Sequence, residues 1–62
     1  MKNKKKRLEL RVERRKNAGE ILKPFYEKVD AYALVEVRTG LVLRWAFERE
    51  GLDRLAQEGR VG

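Results

Sequence analysis

The sequence predicts an α+β fold, a small β-α-β-β-α domain. Three observations predict it. Residues 7–14 alternate charged and apolar side chains, residues 17–32 repeat apolar side chains at helical spacing, and residues 31–48 hold two strand-like runs around a glycine turn. An antiparallel hairpin over about 31–48 is then packed by one or two helices, beside a basic N-terminal strand or arm. With 62 residues the chain has room for one domain, expected at 7–62, preceded by a flexible basic tail at 1–6.

The first strand rests on RLELRVER. Leu8, Leu10 and Val12 point one way, and Arg7, Glu9, Arg11 and Glu13 point the other. A helix competes for this segment, because Leu, Arg and Glu are good helix formers. In a helix, however, Leu10 leaves the face shared by Leu8 and Val12.

A helix is expected next. Asn17 is a suitable N-cap, and Glu20 lies three residues on, as in a capping box. Ala18, Ile21, Leu22, Phe25, Val29 and Tyr32 then form one stripe. Pro24 either kinks this helix or starts a second one at its first position.

The hairpin's register follows from its turn. A three-residue loop, Arg38-Thr39-Gly40, pairs Val37 with Leu41, Val35 with Leu43 and Ala33 with Trp45. Gly40 then takes the left-handed position. Trp45, Phe47 and Phe25 are expected in the core. The second hairpin face, with Tyr32, Leu34, Glu36, Val42, Arg44 and Ala46, is too apolar to be fully solvated. A helix, the first strand's surroundings or a second copy is expected to cover part of it. Residues 49–58 complete the fold as a short helix with Leu52, Leu55 and Ala56 buried. Glu50–Arg54 and Arg54–Glu58 are expected as pairs, and Gly59 as the C-cap.

Charge is uneven along the chain. Residues 1–16 carry nine bases and two acids, a net +7, and residues 17–62 carry seven bases and eight acids, a net −1. A basic arm on a nearly neutral body points to a polyanion, so a DNA or RNA partner is expected. The expected nucleic-acid contacts are Lys2, Lys4, Lys5, Lys6, Arg7, Arg11, Arg15, Lys16 and Arg44. A homodimer is expected as well, because the core is small and Tyr32, Leu34, Val42 and Arg44 offer a partner interface. A protein partner, met by the hairpin face or edge, is the alternative, with the chain as an accessory subunit or inhibitor of a larger complex.

The chain has no cysteine, histidine or serine, and its one threonine is Thr39. The common nucleophiles and the common proton shuttle are missing, so no catalytic residue, metal ligand or cofactor is assigned, and the chain is read as a non-enzyme. No apolar run reaches the roughly 20 residues of a membrane helix. A cytoplasmic setting is the expectation.

The run RLELRV resembles the opening strand of ribbon-helix-helix repressors and antitoxins. That resemblance, over residues 7–12, implies a dimeric regulator whose strand enters the major groove. The family continues with two helices, whereas here one helix and a hairpin are expected to follow.

Overall fold

A computed structural model describes residues 7–61. The expected basic tail, with Lys2, Lys4, Lys5 and Lys6, lies outside the described residues. The elements run β1 (Leu10–Arg15), a 3₁₀ turn (Gly19–Ile21), β2 (Ala31–Glu36), β3 (Val42–Ala46) and α1 (Glu50–Glu58). The α+β class holds, with one α-helix among the described residues. The strands form an antiparallel sheet in the order β1-β2-β3.

β2 is central because it is the most apolar strand. Ala31, Ala33, Leu34 and Val35 are buried, and they alternate between the two faces of the sheet. The register sets Val12 opposite Leu34, and Glu13 opposite Ala33. Leu10, Val12, Tyr32 and Leu34 therefore share one face. Arg11, Glu13, Arg15, Ala33 and Val35 share the other.

α1 packs on β1 and β2, on the Leu34 face. Leu52 is 2% exposed and Leu34 is fully buried. Arg49, just before the helix, lies 5.8 Å from the centre of the Tyr32 ring on the same face. The face that the sequence marks as mixed is thus the one the helix covers, except that Val42 pairs with Val35 and so lies on the opposite face. Burying a leucine of this kind is worth about 1.5–3 kcal/mol. α1 ends at Gly59, whose φ of 72° is the left-handed C-cap expected from the sequence. Its carbonyl accepts the Leu8 N–H at 2.8 Å, which ties the end of α1 to the start of β1.

The helix expected from residue 17 does not form. Asn17 is not an N-cap; it has φ 56°, and its backbone N–H donates to Asp30 Oδ1 at 3.0 Å. The short 3₁₀ turn has no side-chain cap, so Glu20 completes no capping box. Pro24 lacks the N–H that a continuing helix needs at that place. Without a helix the middle of the apolar stripe, Ile21, Leu22, Phe25 and Val29, stays at the surface. Phe25, expected in the core, is 92% exposed, and Ile21, Tyr26 and Val29 are exposed as well.

The hairpin keeps the expected Ala33–Trp45 pair and the left-handed Gly40, at φ 78°. Its loop is longer than expected. Glu36 N–H donates to Leu41 O at 2.8 Å, enclosing Val37–Gly40. Thr39 Oγ1 bonds Glu36 Oε1 at 3.0 Å and accepts from Leu41 N–H at 3.2 Å, which stabilises that longer turn. A bulge between the Leu34 and Val35 pairings absorbs the extra residue, so Val35 faces Val42 rather than Leu43. Trp45 and Phe47 are only half-buried. In and around α1 the ion pairs are Arg49–Asp53 at 3.0 Å and Arg60–Glu58 at 2.8 Å, in place of the expected Glu50–Arg54 and Arg54–Glu58.

Candidate nucleic-acid interface

β1 is an edge strand, so its side chains reach solvent on the face opposite α1. Period-two alternation brings Arg11, Glu13 and Arg15 into one row there. Glu13 Oε2 accepts from Arg11 Nε at 2.6 Å, and Oε1 accepts from Arg15 Nη2 at 2.7 Å and Nε at 3.0 Å. One carboxylate thus orients two guanidiniums. The hydrogen bonds from Arg15 and then Arg11 hold the Glu13 carboxyl below its ordinary pKa of 4.5. The row carries a net charge of +1. Each guanidinium has five N–H donors, so both retain unused donors facing solvent.

Across the sheet from Glu13 come Ala33 and then Trp45. Two strand spacings, about 10 Å, separate the backbone of Glu13 from that of Trp45. At one end Tyr26 and Phe47 pack with ring centres 5.2 Å apart.

The other expected contacts are scattered. Arg7 is exposed and donates to the Gln57 carbonyl at the end of α1. Lys16 is exposed just past β1. Arg44 is exposed but pairs with Leu34, so it lies on β3 on the helix side, away from Arg11 and Arg15. Sequence reasoning passed over Arg14, whose side chain is 68% exposed and sits 3.6 Å from Asp30. The spacing of two in Arg11-Glu13-Arg15 was the signal for the shared carboxylate.

The expected partner interface divides in the same way. Leu34 is fully buried within the one chain, because α1 covers its face. Tyr32 and Val42 are half-buried, and Arg44 is exposed. A depression of 450 Å³ near the hairpin loop is lined by Arg7, Leu8, Glu9, Glu36 and Arg38, with bases and acids in balance. Among the described residues, no group of three or more Asp or Glu side chains is placed to hold a metal ion, and no helix is long and apolar enough to cross a membrane. In comparisons with known proteins, no family model, curated protein or solved structure matches the chain.

Proposed function

We propose that this chain is a non-catalytic nucleic-acid-binding module. Phosphates meet Arg11 and Arg15 on β1 together with the lysines that precede the strand. The observation that carries this reading is the Arg11–Glu13–Arg15 row, held on a sheet strand at the basic end of the chain. Pre-oriented guanidiniums lose less freedom when they bind a phosphate oxygen. Trp45, two strands away on the same face, is the natural stacking partner for an unpaired base.

The test is an anisotropy titration with single- and double-stranded DNA and RNA over a range of salt. Three chains are compared: the parent, one with Lys2, Lys4, Lys5 and Lys6 changed to Gln, and one with Arg11→Ala and Arg15→Ala. Point substitutions are needed because a chain begun at Asn17 would lack β1 and with it one strand of the sheet. Parent binding that falls steeply with salt, weakened in both variants, supports the reading. Absence of binding at low salt, or binding indifferent to salt, would sink it.

A second reading has its own observation. Ile21, Leu22, Phe25, Tyr26 and Val29 expose apolar surface along one connection. Grouped exposed apolar side chains mark contact surfaces, so an accessory role on a protein partner follows. A co-purification that recovers a stoichiometric partner from parent chain, and loses it with Phe25→Ser, would favour this reading over the first.

A further inference from the structure

We propose that the outer edge of β1 is a self-association edge, on which two copies pair antiparallel about Val12 and join two three-stranded sheets into one of six strands. The surface is distinct from the partner interface expected at Tyr32, Leu34, Val42 and Arg44.

Hydrogen-bond direction comes first. Val37 N–H donates to Glu9 O at 2.8 Å, so Glu9 turns its backbone toward the β2 side. Antiparallel ladders alternate, so Arg11, Glu13 and Arg15 turn the same way, and Leu10, Val12 and Arg14 turn their N–H and C=O groups outward. Among the described residues, that edge is met at Leu8 by Gly59 O, and no strand pairs with it. β3, the other free edge, is a residue shorter and bulged, which weakens it as a template.

Charge then fixes the register. Antiparallel pairing about Val12 sets Arg11 opposite the partner's Glu13, and Glu9 opposite the partner's Arg15. The two-fold axis repeats each pair. Val12 meets the partner's Val12 in a hydrogen-bonded pair, and Leu10 meets the stem of the partner's Arg14. Leu10 and Val12 are half-buried in one chain, and this pairing covers more of them. The edge is complementary to itself in hydrogen bonding, charge and apolar surface, as a two-fold interface requires.

The experiment is sedimentation of the full chain across the micromolar range, with no nucleic acid present, so its outcome is independent of the binding reading above. The parent is expected at twice the 7.3 kDa of one chain. Glu13→Arg and Arg11→Glu each set like charges across the edge. Each is expected to weaken the dimer about tenfold or more while the circular dichroism of the monomer is unchanged. Mixing the two variants restores opposite charges at both cross-strand positions, and a heterodimer is expected. If either variant loses its fold, Glu9→Arg and Arg15→Glu provide the same swap at the outer pair. A monomeric parent, variants that dimerise as well as the parent, or a mixture that stays monomeric would each overturn the proposal.

Discussion

At the scale of single residues, two positions carry more than their side chains suggest. Gly19 donates its N–H to Val29 O at 2.7 Å. A Cβ there would lie 2.5 Å from Tyr26 O and 2.8 Å from Val29 O, both backbone atoms with little room to move. Gly19→Ala is expected to destabilise the fold by about 1–3 kcal/mol, read by denaturant titration. Nothing in the sequence marks this glycine, because the close approach comes from residues up to ten positions later. Glu13 is the second. Its folded pKa is depressed by Arg15 and Arg11, so its contribution to stability is present above the ordinary 4.5 and is lost as pH falls through the lower folded value. Melting temperature should decline on acidification below that point. Glu13→Gln should remove its share of the decline, and a pH profile identical to the parent's would show that the two arginines do not stabilise the carboxylate.

At the scale of elements, the strands were legible and the long connection was not. Alternation in RLELRV and in the hairpin reports backbone period directly, and it placed β1, β2 and β3. It does not say which face receives the helix. Leu34 sits among Tyr32, Glu36 and Arg44, and only the position of α1 makes it core. Residues 17–32 carry a genuine apolar period of 3.6, but Pro24 and the left-handed Asn17 interrupt the backbone that would use it. The Arg-Glu-Arg row was half legible: its residues were on one predicted strand face, but Arg44 was joined to them although it lies on the other side of the sheet. This division predicts opposite outcomes for two large apolar residues. Leu52→Ala empties a buried site and should cost about 2–5 kcal/mol. Phe25→Ser, at a side chain 92% exposed, should change stability by no more than about 0.5 kcal/mol. Comparable losses at both would mean that the 17–30 connection is packed in solution.

At the scale of the whole molecule, charge is concentrated at one end, and much of it lies on a strand that the fold needs. Arg11 and Arg15 sit on β1, which is hydrogen-bonded to β2 and packed under α1. The two sources of positive charge should therefore separate in a salt titration. Each lysine that neutralises a phosphate adds about 0.9 to the slope of log affinity against log salt on duplex DNA. Changing Lys2, Lys4, Lys5 and Lys6 to Gln therefore flattens the slope by about that amount for every phosphate left without its lysine. Arg11 and Arg15 behave differently because Glu13 is bound to both. Removing the two arginines turns a row of net charge +1 into one of −1, so under the proposed reading the remaining carboxylate would repel a phosphate brought to that face. Glu13→Gln moves the same row to +2, since both arginines remain. Nucleic-acid affinity at low salt should rise in that variant, provided the neutral amide keeps the guanidiniums in place. Weaker binding would mean that orientation by the carboxylate matters more than the charge it cancels, and unchanged binding would remove the β1 row from the interface.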